Sequence, residues 1–187
     1  MSKQTIAVLD FGSQYTQLIA RRIREQSVYS KILPHTISAE EIRGENIPAV
    51  IFSGGPSSVY EQNSPQFDTE ILNLGIPILG ICYGLHLMIH HSGGHVLHKG
   101  QGEYGSAIIH SECESPLLRN ICTESKVWMS HGDEINSLGN SYKSIARSSN
   151  DIIAAIQHED KPFYAVQFHP EVVHTEEGST ILSNFLF

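Results

Sequence analysis

The stretch IPILGICYGLHLMIHHSGG, residues 76–94, decides how this chain is interpreted. The apolar run IPILGI is typical of a buried strand, and the residues after the bend have the apolar content of a helix that two glycines end. Cys82 lies on the bend itself, between Gly80 and Gly84. This is the pattern of a nucleophile elbow, G-x-nucleophile-x-G, in which a sharp strand-to-helix turn exposes a reactive side chain.

The position of Cys82 favours a nucleophile. The bend directs the sulfur to the N-terminus of the following helix, where unpaired N–H groups and the helix dipole stabilise a thiolate. A Cβ at residue 80 or 84 is expected to clash with neighbouring backbone. Free cysteines are also often small buried hydrophobes, so the bend alone leaves a structural thiol open as the alternative.

The segments before the bend alternate between strand and helix patterns. Apolar runs predict strands at 5–10, 28–33 and 48–53, and periodic or capped segments predict helices at 13–26, 38–44 and 64–75. Strands and helices that alternate at this interval indicate parallel βαβ units with right-handed crossovers. The elbow therefore lies at a strand end of a parallel sheet, where reactive groups collect in such folds.

The pattern of apolar residues changes after residue 95. Short alternating runs predict strands at 95–100, 103–110, 126–130, 142–148, 151–157 and 163–168, and a closing helix follows at 176–187. Turns between these runs suggest antiparallel pairing. The expected fold class is α/β: an open, mostly parallel sheet flanked by helices, with a small antiparallel extension. No linker divides the chain, so we expect a single domain over residues 1–187.

Composition disfavours several other classes of protein. Twelve Lys plus Arg against twenty Asp plus Glu give a net charge of −8 without a basic cluster, so we expect no nucleic-acid partner. No secretory signal and no membrane-spanning stretch is recognisable. Three cysteines, an odd number without metal or disulfide spacing, fit a reducing compartment and predict a cytoplasmic protein.

Two further segments supply what a thiolate nucleophile needs, a base and a site for a developing oxyanion. In QFHPE, His169 follows a predicted strand, and Glu171 lies two residues on, where its carboxylate could orient the imidazole. In IFSGGPSS, Gly54 and Gly55 follow another strand and allow close approach of a substrate. The N–H groups of Gly55 and of Tyr83, the residue after the nucleophile, could together bind the oxyanion.

These motifs, in this order, resemble the class I, triad-type glutamine amidotransferases. The match is closer still to the glutaminase domain of the GMP synthetases. The segments that carry it span nearly the whole chain: LDFGSQYTQLIARRIRE (9–25), FSGGPSSVY (52–60), GEYG (102–105), MSHGDEI (129–135) and QFHPEVVHTEEG (167–178).

The resemblance implies hydrolysis of L-glutamine to glutamate and ammonia. Cys82 would form a γ-glutamyl thioester, His169 and Glu171 would complete the catalytic triad, and the N–H groups of Gly55 and Tyr83 would form the oxyanion hole. In the family, ammonia passes to an ATP-dependent synthetase domain that aminates XMP to GMP. We expect that domain as the partner, in the same chain or as a separate one, because its segments are absent here. ATP and magnesium belong to it, and this domain is expected to need no cofactor or metal.

The resemblance also implies contacts to the substrate glutamine from Gly54, His86, Gly132 and Asp133. At position 86 the family normally has a glutamine that helps to hold the amino-acid end of the substrate. A neutral imidazole offers one hydrogen bond with a different reach. We therefore expect weaker glutamine binding, by about 1–3 kcal/mol if a buried partner is left unpaired, with the chemistry intact.

Three alternatives stay open. His86 and His90 are at i, i+4 spacing on a helix, as zinc ligands can be, although no glutamate follows His86 and no third ligand lies at a telling distance. A catalytically weak regulatory or interaction domain of the same fold would also explain His86. A cysteine hydrolase of γ-glutamyl peptides or esters would use the same triad, although the MSHGDEI and PEVVHTEEG segments favour the amidotransferase.

Overall fold

A computed structural model describes residues 5–98 and 102–187 of the chain. Its first half contains β1 (Thr5–Asp10), α1 (Thr16–Glu25), β2 (Tyr29–Pro34), α2 (Ala39–Gly44), β3 (Val50–Phe52), a 3-10 helix (Thr69–Asn73), β4 (Ile78–Ile81) and α3 (Tyr83–His91). Its second half contains β5 (His95–His98), β6 (Tyr104–Ser111), β7 (Glu124–Ser130), β8 (Asp133–Ser137), β9 (Tyr142–Ser148), β10 (Ile153–His158), β11 (Phe163–Val166) and α4 (Gly178–Leu186).

Nine of these strands form one mixed sheet in the order β2-β1-β3-β4-β11-β10-β9-β6-β7. The first five strands in this order are parallel, and the remaining pairs are antiparallel. The predicted α/β class with a mostly parallel sheet and an antiparallel extension is therefore confirmed. The extension continues the same sheet, because β11 pairs with β4 on one side and with β10 on the other.

Helices cover both faces of the parallel strands, and each face has its own apolar core. Alternate residues of β1 separate the two: Ile6 and Val8 join the core under α1 and α4, whereas Ala7 and Leu9 join the core under α2 and α3. Burial on both faces explains why these strands are continuous apolar runs in the sequence. None of the helices in residues 5–98 and 102–187 has the length and apolar character needed to cross a membrane.

The predicted helix at 64–75 is wrong over most of its length, since only a short 3-10 helix forms, at Thr69–Asn73. Pro65 fixes its own φ and keeps the preceding residue extended. The carbonyl of Pro65 accepts a hydrogen bond from the Tyr83 hydroxyl at 2.7 Å, and Asp68 accepts the N–H of Ala39 at 2.8 Å. Contacts with two other helices thus hold this segment outside a helical path.

Of the two strands in the small sheet formed by β5 and β8, the sequence predicted only β5. The run at 95–100 predicted β5, which the structure has at His95–His98; residues 99 and 100 lie outside the described residues. β8 begins inside the segment MSHGDEI, whose two acidic residues disfavour a strand. This small sheet brings the loop at residues 131–132 to the carboxyl end of the parallel strands.

Candidate active site

The candidate residues meet where the carboxyl ends of four neighbouring parallel strands lie side by side. Cys82 follows β4, Gly54 and Gly55 follow β3, and His169 follows β11, which is the strand beside β4. The loop after β1, which contains Ser13, completes the group. Open α/β sheets bind ligands at this edge, near the point where the strand order reverses.

Cys82 occupies the sharp turn that the sequence predicts. Its φ and ψ are 52° and −104°, an unfavourable backbone conformation for a residue with a side chain. A Cβ on Gly84 would lie 2.6 Å from the carbonyl oxygen of Phe52, and one on Gly80 would lie 2.8 Å from the Gly84 carbonyl carbon. The expected clashes at both glycines are therefore present. The N–H of Cys82 donates to the Val166 carbonyl at 2.8 Å, which ties the turn to the end of β11.

His169 and Glu171 form a buried pair. The distance from His169 Nδ1 to Glu171 Oε1 is 2.7 Å, and the side chains are 5% and 0% exposed. The backbone N–H of His169 donates to the Trp128 carbonyl at 3.0 Å, and its own carbonyl accepts the Thr175 hydroxyl at 2.6 Å. Because Nδ1 is bonded to the carboxylate, Nε2 is the nitrogen left for the thiol of Cys82.

The charge state of His169 follows from these contacts. Burial disfavours the imidazolium, but hydrogen bonds to Cys82 and Glu171 and their negative charges outweigh it and raise the pKa of His169 to about 10. The ring is therefore protonated at neutral pH, beside a sulfur whose ionised form it stabilises. An imidazolium held next to a thiol is the arrangement that a cysteine nucleophile requires.

The glycines after β3 lie against this group. A Cβ on Gly55 would be 2.6 Å from the Phe11 carbonyl oxygen and 3.4 Å from Tyr83 Cδ1, so only glycine fits there. Among the described residues, no hydrogen-bond acceptor is found for the N–H of Gly55 or of Tyr83. Gly54 lies deeper, where a Cβ would be 3.3 Å from His169 Cε1, and it forms no part of the cavity wall.

A cavity of about 480 Å³ opens in front of the sulfur. Of the predicted residues, it is lined by Gly55, Cys82, Tyr83, His86, Gly132, Asp133 and His169. Residues that the sequence analysis did not single out also line it, among them Ser13, Tyr15, Glu61, Tyr104 and Ser130. The cavity is large enough for one amino acid, and it carries both backbone N–H groups and carboxylates.

The opposite wall of the cavity is the loop between β7 and β8. The Asp133 carboxylate is bonded to His98 Nδ1 at 2.7 Å, and a Cβ on Gly132 would lie 3.3 Å from the Tyr104 hydroxyl. His131, also in this loop, bonds through Nδ1 to the Asp133 carbonyl at 2.8 Å. Its Nε2 faces Glu103 at 3.7 Å, and burial is the main reason that the pKa of His131 is lowered.

His86 is buried, with 3% of its surface exposed, and its Nε2 lies 2.8 Å from Gln167 Oε1. Burial lowers the pKa of His86 to about 4, and the ring is therefore neutral at pH 7. Gln167 is itself fully buried, and its amide nitrogen lies 3.8 Å from Cys82 Sγ. Gln167 was missed in the sequence, although it lies within the QFHPE motif.

The zinc hypothesis has no support in the geometry of its two residues. The ring of His86 bonds to Gln167, whereas the ring of His90 packs edge-on against Tyr60 with centroids 5.4 Å apart. In the part of the chain that the structure describes, no three His, Cys, Asp or Glu side chains are grouped as metal ligands would be.

Comparisons with known proteins identify the family of this chain. A family profile described as "Glutamine amidotransferase class-I" matches residues 7–187. A GMP synthase [glutamine-hydrolyzing] from Bacillus cytotoxicus is 52% identical over 189 residues, and one from Prochlorococcus marinus is 49% identical over 183 residues. The chain is covered to 100% and 97% in these matches, but it spans only 37% and 35% of the length of these curated relatives.

Solved structures give the same result. A protein from Thermoplasma acidophilum, described as a candidate subunit of a GMP synthase, superposes with a TM-score of 0.88 at 30% identity, covering 100% of this chain and 94% of its own. A glutamine amidotransferase from Thermotoga maritima has the same fold, with a TM-score of 0.72 at 19% identity over 92% of this chain and 78% of its own.

The fold and the site thus define an α/β protein with a cysteine elbow at the carboxyl edge of a parallel sheet. This chain belongs to the class-I glutamine amidotransferase family. The resemblance to the glutaminase domain of GMP synthetases is also confirmed, by relatives at about half identity along the whole chain.

Proposed function

We propose that this chain hydrolyses L-glutamine to glutamate and ammonia, and that Cys82, His169 and Glu171 are its catalytic triad. The observation that carries the proposal is the contact of a buried imidazole with both the thiol of Cys82 and the carboxylate of Glu171 at the wall of a cavity. Membership of the amidotransferase family supports glutamine as the substrate.

The first half of the reaction begins with Cys82 as a thiolate beside the His169 imidazolium. The Cys82 thiolate attacks the side-chain amide carbon of glutamine, and the carbonyl oxygen becomes an oxyanion that the N–H groups of Gly55 and Tyr83 stabilise. The carbon–nitrogen bond then breaks as the His169 imidazolium gives its proton to the departing nitrogen. The products of this half are ammonia and a γ-glutamyl thioester on Cys82.

The second half regenerates the enzyme. His169, now neutral, takes a proton from a water molecule, which attacks the thioester carbon. The carbon–sulfur bond breaks, glutamate leaves, and the thiolate is again paired with an imidazolium. Glu171 keeps Nδ1 protonated throughout, so that Nε2 alone exchanges protons. Two of the predicted substrate contacts, Gly132 and Asp133, lie at the cavity wall. The Asp133 carboxylate suits the ammonium group of the substrate, and the backbone of Gly132 suits its carboxylate.

We further propose that the ammonia is used by an ATP-dependent synthetase domain that aminates XMP to GMP, in the cytoplasm. Support comes from the GMP synthases that the chain matches over about a third of their length, which leaves room in those relatives for such a domain. In this proposal ATP and magnesium act on the synthetase domain, whether it is joined in the same chain or acts as a separate partner. The three thiols of this chain are free, as a reducing compartment requires.

The test is covalent labelling with diazo-oxo-norleucine, an electrophilic glutamine analogue, followed by intact mass measurement and peptide mapping. Cys82→Ala should abolish the adduct, whereas the matched control Cys113→Ser, which removes an exposed thiol, should leave it unchanged. Excess glutamine should protect wild-type Cys82. The experiment is run with and without the synthetase part of a related GMP synthase.

The outcomes separate the alternatives. Labelling of Cys82 that glutamine blocks supports the glutaminase, and labelling only with the synthetase part present means that docking completes the pocket. Labelling that γ-glutamyl peptides block better than glutamine favours the cysteine hydrolase. A folded protein that is not labelled under either condition contradicts the enzymatic proposal and favours a regulatory domain.

A further inference from the structure

Gln167 lies between His86 and the nucleophile, and no part of the mechanism above uses it. Its side chain is buried completely, and its backbone N–H donates to the Ala154 carbonyl at 2.8 Å, which fixes its place at the end of β11. Its amide oxygen lies 2.8 Å from His86 Nε2, and its amide nitrogen lies 3.8 Å from Cys82 Sγ.

The contacts of the amide determine which way it faces. Its oxygen can only accept a hydrogen bond, so Nε2 of His86 must carry the proton and donate. The NH₂ group of Gln167 is then directed to the sulfur, at a distance suitable for an N–H···S hydrogen bond. Rotation of the amide by a half turn would place its oxygen against the sulfur, where it repels a thiolate, and its NH₂ group against Nε2 of His86, which would then have to be the unprotonated nitrogen.

The surroundings of His86 leave it with a single ring proton, which the contact with Gln167 Oε1 assigns to Nε2. Burial holds its ring neutral against the hydrogen bond to Gln167, which raises its pKa, and Asp133 at the start of β8 and His131 in the preceding loop act on that pKa in opposite directions. His169 is the titratable group that acts on the sulfur, and the thiol of Cys82 donates to the carbonyl oxygen of Ser130, with 3.7 Å between sulfur and oxygen. The Ser130 carbonyl can accept only from the protonated thiol, whereas the Gln167 amide can donate to the thiolate, so the two contacts favour opposite ionisation states of the sulfur.

We propose that Gln167 is a further catalytic residue, whose amide donates to the Cys82 thiolate, and that His86 is its positioning residue, which holds the amide in the donating orientation. The proposal rests on the assignment of Cys82 as the nucleophile. It gives His86 a role other than the substrate contact that the family resemblance implies, since its Nε2 is occupied by Gln167.

The test is the pH dependence of alkylation of Cys82 by iodoacetamide, quantified by peptide mapping, which needs neither glutamine nor a partner domain. Gln167→Met keeps the size of the side chain but removes the donor, and His86→Leu releases the amide. Each should raise the alkylation midpoint by about one pH unit, the effect of one lost hydrogen bond to a charged sulfur. His86→Gln can still donate to the amide oxygen and should keep the wild-type midpoint. His90→Leu, one turn further along α3, is the matched control.

The results separate this inference from the proposed function. If His86→Leu and His86→Gln shift the midpoint equally, or if Gln167→Met leaves it unchanged, the inference fails while the nucleophile stands. If wild-type Cys82 reacts no faster at neutral pH than the exposed Cys113, the nucleophile assignment and the inference both fail. Should Gln167→Met not fold, the comparison of the two His86 variants gives the same decision.

Discussion

The buried neutral imidazole of His86 predicts a specific weakness of this protein in acid. Its pKa is lowered by burial from 6.5 to about 4, so the unfolded chain binds a proton in the window between these values and the folded chain does not. Stability must then rise with pH across this window and be lost as the pH falls through it. Replacing His86 by glutamine, which does not titrate, should remove that part of the pH dependence.

The size of the effect follows from the shift. The displacement from 6.5 to about 4 corresponds to at most about 3 kcal/mol, reached only below pH 4. At pH 4.5, where the folded state is still mostly unprotonated at this site, the loss relative to pH 7 is about 2 kcal/mol.

Urea unfolding measures it directly, with the fluorescence of Trp128, the one tryptophan of the chain, as the signal. Free energies of unfolding are determined for wild type and His86→Gln at several values between pH 7 and 4.5. The difference between the two proteins should change by about 2–3 kcal/mol over this range, in favour of the variant at low pH. His158 and His169 titrate in both proteins, so their contributions cancel, whereas the charge interaction of His131 with His86, the weakest of the influences on the pKa of His86, is lost in the variant. Two parallel curves would refute the assignment of His86 as a buried neutral base.

Two further predictions concern the elbow and the triad. Gly84→Ala places a Cβ 2.6 Å from the Phe52 carbonyl oxygen and should lower the free energy of unfolding by about 1–3 kcal/mol, whereas Gly44→Ala, with nothing within 4 Å, should leave it unchanged or raise it slightly. Equal effects in thermal unfolding would contradict the close packing of β3 on α3. Glu171→Gln removes the charge beside His169 and should lower the pKa of that imidazole by about 1–3 units. An NMR titration of the His169 ring that is unchanged in the variant would show that Glu171 does not set its charge state.

Much of the fold is predictable because its order is local. The strands of the parallel half are buried on both faces and are therefore apolar runs, and Ser38 with Glu41 forms a complete capping box at the start of α2. The segment at 64–75 misleads because its helical pattern is overridden by contacts with residues far away in the sequence. β8 is missed for a related reason, as Asp133 and Glu134 belong to a strand only through pairing with β5.

The candidate site divides in the same way. Cys82, His169 and Glu171 are recognisable because each lies in a short motif whose glycines or proline restrict the backbone locally. The contact of Gln167 with His86 cannot be predicted from the sequence, because 81 positions separate the two residues and no local pattern links them. The hydrogen-bond partner of a buried amide depends on which strands are neighbours in the sheet. The order of the strands cannot be predicted from any single segment of the sequence.

That order of strands has a consequence for how the chain acquires a reactive thiol during synthesis. β4 pairs with β11, with Ile81 opposite Val166. The strand β11 is synthesised long after Cys82, so it must be added to the sheet beside a strand that was made much earlier. Pairing over such a distance is slow, because loop closure precedes any gain from contacts. Until β11 is in place, the sulfur has no imidazole beside it. A nascent chain therefore carries Cys82 without an imidazole partner until the segment that contains His169 has been made, and the proposed nucleophile is complete only after the sheet has closed around it.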